Sequence, residues 1–231
     1  MITMFFRILL ILVIATQTLR AENHQTDINV DQSFLTAVKL VEKKQYIEAV
    51  NIFNLLAQQE IPEAQFNLSL LLFNGLGVPK NYKQALVWSW KAYLNNHESA
   101  INQVNDILEI VTPELQSAVA DELIQELTAI ANNGDATAAL KLGITFTELM
   151  VEPDYASAYV WLSIAQAFGI EEASPIMVNV TEQLAIEEVI VKQDEAAKLF
   201  AEITEKWLFR SDFIYKIEHF NSFIGYFFQV Y

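Results

Sequence analysis

The chain repeats itself, and that constrains its fold more than any other feature. Phe73–Ala92 reads FNGLGVPKNYKQALVWSWKA, and Thr147–Ala165 reads TELMVEPDYASAYVWLSIA. Val78, Tyr82, Ala85 and Trp88 align with Val151, Tyr155, Ala158 and Trp161 at an offset of 73. Upstream, Ala64 and Leu68 align with Ala138 and Leu142 at an offset of 74, so the second loop is one residue shorter. Tyr46 and Ala49 stand 36 residues before Tyr82 and Ala85 and mark a weaker third copy. VTPELQSAVADELIQEL (Val111–Leu127) has an echo in VTEQLAIEEVIVKQDEAAKLF (Val180–Phe200). The module therefore reads as a helical hairpin followed by two spacer helices, used twice. Repeats of this length cannot bury their apolar faces alone. Each needs its neighbour, and stacking makes an array instead of one round core.

Within the repeats the apolar spacing is helical. Phe34, Ala37, Val38 and Val41 share one face, as do Ala64, Leu68 and Leu72, then Ala138, Leu142 and Phe146. Alternating strand patterns are absent from the sequence. Pro62 and Pro113 suit a first helical turn, where the missing N–H costs nothing. Asn81 with Gln84 reads as a capping pair. Asn133-Gly134 and Gly169 read as helix ends.

These residues carry a resemblance. Ala64, Leu68, Gly75, Gly77, Val78, Asn81, Tyr82, Ala85 and Trp88, ending in Lys91-Ala92, resemble the Sel-one-like repeat, a helical hairpin related to the tetratricopeptide repeat. Ser69 stands where the family usually has Gly. The second copy keeps Gly134, Ala138, Leu142, Gly143, Phe146, Asp154, Tyr155, Ala158 and Trp161, but Leu-Met-Val replaces both loop glycines, so its loop must turn differently. The opening unit, Asp31 to Gln59, is closer to a plain tetratricopeptide hairpin. The resemblance implies an all-α solenoid of stacked hairpins with spacer helices, and protein–protein interaction as its work. Trp88 and Trp161 are then expected at equivalent inward positions.

Composition narrows the function. Without cysteine there is no disulfide, thiolate metal site or thiol nucleophile. Fourteen basic residues against 29 acidic ones argue against nucleic acid, because phosphate binding needs a positive field. His24, His97 and His219 are scattered, and no pair has metal-ligand spacing. The acidic pairs Asp121-Glu122, Glu171-Glu172 and Glu187-Glu188 are adjacent in sequence, so on a helix they diverge and do not form catalytic dyads. Gly75-Leu-Gly77 lacks the strand, third glycine and Lys-Ser/Thr of a phosphate loop. No catalytic, cofactor or metal residue is expected. Between Ala92 and Val191 Lys141 is the only basic residue, against sixteen acidic ones. Such a stretch first of all keeps a protein soluble; it also suits a basic partner.

The first residues, MITMFFRILLILVIATQTLRAEN, have the layout of a secretory signal: Arg7, the apolar run Ile8–Ala15, and a short polar region ending in Ala21. The run falls well short of the ~20 residues of a membrane span. Cleavage after Ala21 is expected (residues 1–21), followed by a flexible tail (22–30) and the repeat domain (31–208). The mature charge would be −17, since Arg7 and Arg20 leave with the signal. The last segment, 209–231, carries Phe209, Phe213, Ile217, Phe220, Ile224, Phe227 and Tyr231 at helical spacing. It reads as an aromatic amphipathic helix that packs first of all on the array, with a partner or a membrane surface as the alternatives.

The candidate partner surface is the outward face of the first helix of each hairpin: Phe34, Val38 and Val41, then Phe66, Leu70 and Phe73, then Leu140 and Ile144. These positions are apolar where a solvated groove would be polar. The expected protein is an exported, periplasmic scaffold or adaptor without catalysis or cofactor. A subunit of an obligate envelope complex is the alternative. A cell-wall enzyme is the reading the residues support least.

Overall fold

The computed structural model describes residues 29–206. The expected signal (1–21), most of the tail (22–30) and the aromatic segment (209–231) lie outside them. Within them all regular structure is helical, in ten helices. Helix α1 occupies 29–42, so residues 29 and 30, expected in the tail, are helical. Next come α2 (Tyr46–Ala57), α3 (Pro62–Asn74), α4 (Tyr82–Leu94), α5 (Ala100–Leu108), α6 (Pro113–Ala131), α7 (Ala136–Glu148), α8 (Tyr155–Ala167) and α9 (Ala173–Glu182). Helix α10 occupies 186–206.

The helix starts follow from local chemistry. The first N–H groups of a helix lack intrahelical partners, and short polar side chains satisfy them. The Gln84 N–H donates to Asn81 Oδ1 at 3.0 Å. The Ala138 N–H donates to Asp135 Oδ1 at 2.8 Å, and the Ser157 N–H to Asp154 Oδ1 at 2.9 Å. Pro62 and Pro113 open α3 and α6. Gly134 and Gly169 follow α6 and α8 with φ of 90°.

The two copies agree helix by helix. α3, α4, α5 and α6 begin at 62, 82, 100 and 113; α7, α8, α9 and α10 begin at 136, 155, 173 and 186. The offset is 74 for the first helix and 73 for the other three. Equivalent positions share burial: Ala100 and Ala173, Ile107 and Val180, Leu123 and Ala196 are all buried. The echo of Val111–Leu127 in Val180–Phe200 therefore needs correcting by four residues. Val180 and Thr181 lie in α9 and answer to Ile107 and Leu108, whereas Thr112 caps α6. A four-residue slip is about one helical turn, which leaves the apolar face almost unchanged, so periodicity alone could not detect it.

The loop difference also has a defined form. In the first copy Asn81 N–H bonds the Leu72 carbonyl at 3.1 Å; in the second Asp154 N–H bonds the Phe146 carbonyl at 3.0 Å. The same closure therefore spans one residue fewer. Gly75 ends α3 in the left-handed region, at φ 70°. Leu149 ends α7 in a right-handed conformation, with its side chain fully buried. Its carbonyl accepts from Gln116 Nε2 at 2.8 Å. A buried leucine and a side-chain hydrogen bond thus replace the two glycines.

The described residues form two compact units, divided between Val111 and Thr112. In the first, α2 packs on α3, α3 on α4 and α4 on α5. Its core is built around Phe53, Leu56, Leu68 and Leu71, with Ala37, Ala49 and Ala64 letting the helices close up. Gln65 is buried but satisfied: its Nε2 donates to the Ala57 carbonyl at 3.2 Å, and its Oε1 accepts from Asn95 Nδ2 at 2.9 Å. In the second unit α6 packs on α7, α7 on α8 and α8 on α9. The expectation that Trp88 and Trp161 are equally inward needs correcting. Trp161 is buried, but Trp88 is half-buried against the core, with Lys91 Nζ 5.4 Å from its ring centre. The deep tryptophan of α4 is Trp90, 1% exposed.

Candidate partner-binding surface

All eight stripe residues are half-buried, neither core nor fully exposed. Six lie in the first unit. Phe34, Val38 and Val41, on α1, pack against that unit's core. Phe34 meets Phe53 edge-on, with ring centres 5.7 Å apart. On α3, Phe66, Leu70 and Phe73 follow at helical spacing on one face. Phe66 stacks on His97 at 4.2 Å, and Phe73 leans on Tyr82 at 5.5 Å. Leu140 and Ile144 lie on α7 in the second unit. At the offset of 74 they answer to Phe66 and Leu70, and Thr147 takes the place of Phe73. The Thr147 hydroxyl is turned back on its own helix, donating to the Gly143 and Ile144 carbonyls at 3.1 and 3.0 Å. Each copy thus presents a half-buried apolar face, aromatic in the first and aliphatic in the second.

This arrangement can offer contact area, and little else in it is chemical. His97 Nδ1 is buried without a hydrogen-bond partner, and the ring is held flat against Phe66. No group of three or more His, Asp or Glu is placed to hold a metal ion among the described residues. Among those residues no helix is long and apolar enough to cross a membrane. Among the described residues the one carboxyl whose titration is displaced, Glu114, is exposed at the start of α6. Hydrogen bonds from its own backbone N–H and the Thr112 side chain hold it below the ordinary glutamate range.

Sequence reasoning did not single out the open ground around α8. A groove of about 190 Å³ lies between α8 and α10, lined by Ser163, Ile164, Ala167, Gln193, Ala196, Ala197 and Phe200. A second of about 440 Å³ lies between Gln166 of α8 and the Ser174, Met177, Val178, Thr181 and Glu182 face of α9. The signal that finds them is the comparison of each spacer helix with its counterpart 73 residues away.

Capped helices paired as hairpins, repeated with matched burial, define an all-α helical-repeat protein of the solenoid class. The Sel1 repeat family model matches residues 62–97 and 136–165, and the chain carries Sel1 repeats at these two segments. Residues 62–97 take in α3 and α4; 136–165 take in α7 and most of α8. The chain is similar to several solved structures, among them these two. One is c5321, a protective antigen of uropathogenic Escherichia coli strains displaying an SLR fold: 17% identity, TM-score 0.33, covering 80% of this chain and 48% of that one. The other is a Sel1 repeat protein from Oxalobacter formigenes: 22% identity, TM-score 0.25, covering 58% and 49%. The chain spans about half the length of the structures it matches. No curated protein matches it.

Proposed function

We propose that this protein is an exported scaffold or adaptor that binds other proteins through its Sel1 hairpins and catalyses no reaction. Sel1 repeat proteins generally mediate protein–protein interaction. The observation that carries the reading here is the apolar face presented at equivalent positions of both hairpins, Phe66 and Leu70 on α3 and Leu140 and Ile144 on α7. Half-buried apolar side chains on rigid helices give a partner area to cover at little ordering cost. Export rests on Arg7, the apolar run Ile8–Ala15 and Ala21, and the working compartment is the periplasm.

The test is photo-crosslinking in the native cell envelope from a probe amino acid at position 70 or 144, with mass spectrometry of what is captured. Recovery of a defined protein supports the reading; probes that capture nothing above the level of a probe at exposed Glu109 sink it. Sequencing the amino terminus of the isolated protein checks export, which requires a start at Glu22.

A further inference from the structure

Helix α10 repeats α6, so their faces can be compared residue by residue. On α6, Ser117, Ala120 and Ile124 form one stripe, half-buried at its ends and fully buried at Ala120. The equivalent residues of α10, Ile190, Gln193 and Ala197, are exposed. Ile186 extends this stripe by one turn, since residues 186, 190, 193 and 197 share a helical face; its counterpart, Pro113, is exposed in the first copy as well. Ile186 and Ile190 are 65% and 54% exposed. Three positions covered on α6 are thus bare on α10, where Ile190 and Ala197 are apolar on either side of Gln193; such exposed apolar side chains suit a neighbour. The stripe runs into the groove between α8 and α10, where Ile164, Ala196 and Phe200 supply apolar walls. Gln193 Nε2 bridges to the Tyr159 hydroxyl at 3.3 Å and ties the two helices together at that point.

Charge says what the neighbour is. Glu187, Asp194 and Glu205 are exposed and share the outer flank of the stripe, being seven and eighteen residues apart on a helix of 3.6 residues per turn. Lys198 shares that flank and leaves it net acidic, while Lys192 is paired with Glu195 at 2.8 Å. Across the described residues of this unit, 112–206, seventeen acidic residues face four basic ones. Complementary potential speeds encounter and selects partners by charge.

We propose that this stripe and groove are the docking site for a cationic amphipathic helix of a partner protein. Its apolar side seats on Ile186, Ile190 and Ala197, and its Lys or Arg side chains lie over Glu187, Asp194 and Glu205. The inference rests on the binding function proposed above and names a site and a partner class for it.

The test uses the full chain and a labelled helical peptide of leucine and lysine, beside its leucine–glutamate counterpart. The lysine peptide should bind and the glutamate peptide should not. Ile190→Ser with Ala197→Arg should weaken binding by about tenfold or more, equal to about 1.4 kcal/mol. Glu187→Gln, Asp194→Asn and Glu205→Gln together should weaken it and flatten its salt dependence. The same number of charges removed elsewhere, as Glu98→Gln, Asp106→Asn and Glu109→Gln, should leave it unchanged. Equal losses in the two charge variants, or no loss from the Ile190/Ala197 variant, would overturn the site. A reactive label on Ala197→Cys that attaches to residues 207–231 would make the chain's own end the occupant. Attachment to a second copy would make it a self-association face. Either result would overturn the proposal. Envelope crosslinking separates the two levels: if the Ile190/Ala197 variant captures the same partner as the unaltered chain, this site falls and the binding function stands.

Discussion

The Ser69 hydroxyl donates to the Ala85 carbonyl across the α3–α4 hairpin at 2.9 Å, and both residues are fully buried. The family resemblance has glycine at that position, and the second copy keeps it as Gly143. There a Cβ would lie 2.5 Å from Leu162 Cγ and Cδ2, so the second hairpin has no room for one. The first hairpin holds the larger side chain by engaging its hydroxyl; the second closes over the bare backbone. Ser69→Ala should therefore cost about 1 kcal/mol, the net worth of one hydrogen bond. Gly143→Ala should cost about 1–3 kcal/mol through overpacking. Urea denaturation of the two variants compares them directly; a neutral Gly143→Ala would disprove the close approach.

The turn glycines separate two causes of strain. Gly77 has φ +76°, and a Cβ there would lie 2.5 Å from the Tyr46 carbonyl carbon and oxygen. Gly169 also has positive φ, +90°, but nothing stands within 4 Å. Gly169→Ala should cost only the left-handed backbone term, about 1–2 kcal/mol. Gly77→Ala should cost more, because helix α2 must also move. Equal melting temperatures for the two variants would show that the contact with Tyr46 contributes nothing.

Among the tryptophans, Trp90→Ala and Trp161→Ala should each destabilise by about 3–5 kcal/mol. Trp88→Ala should cost less, since that ring is only partly buried. Thermal unfolding followed by circular dichroism gives the order. Trp88 ranking first would put the wrong side chain in the core of α4.

Leu70 tests the partner surface apart from the fold. As a half-buried residue between Phe66 and Phe73, Leu70→Lys should leave helicity intact and reduce capture of the crosslinked partner. Unfolding instead would mean that this face is core.

Glu114 gives a pH signature. Its folded-state carboxyl titrates below the ordinary range, held there by its own backbone N–H and by the Thr112 side chain. A depressed carboxyl pKa adds stability above the unfolded value, and that stability is lost as pH falls through the folded value. The effect is small because the group is on the surface. Side-chain NMR titration should place Glu114 below the ordinary glutamate range, and Thr112→Ala should move it upward. A Glu114 that titrates at the ordinary glutamate value would remove the hydrogen bonds described at the start of α6.

Much of the architecture was legible in the residues. Asn81 does cap a helix through the Gln84 N–H, Pro62 and Pro113 do open helices, and the shorter second loop followed from the change of offset. These features are local, set within a few residues of chain by capping, turn geometry and helical period, so sequence determines them. Three matters were decided only by tertiary packing. Trp88 and Trp90 are two residues apart, and which one turns inward depends on how α4 is rotated against its neighbours. The spacer register slipped by one turn in the sequence comparison because a turn's shift preserves the apolar face; only the burial of Ala173, Val180 and Ala196 located it. Ile186 and Ile190 on the bare stripe of α10 are as apolar as residues that are covered elsewhere in the fold. Whether Ile186 and Ile190 meet protein or water depends on what stands beside the helix, and a chain's own period carries no information about its neighbour.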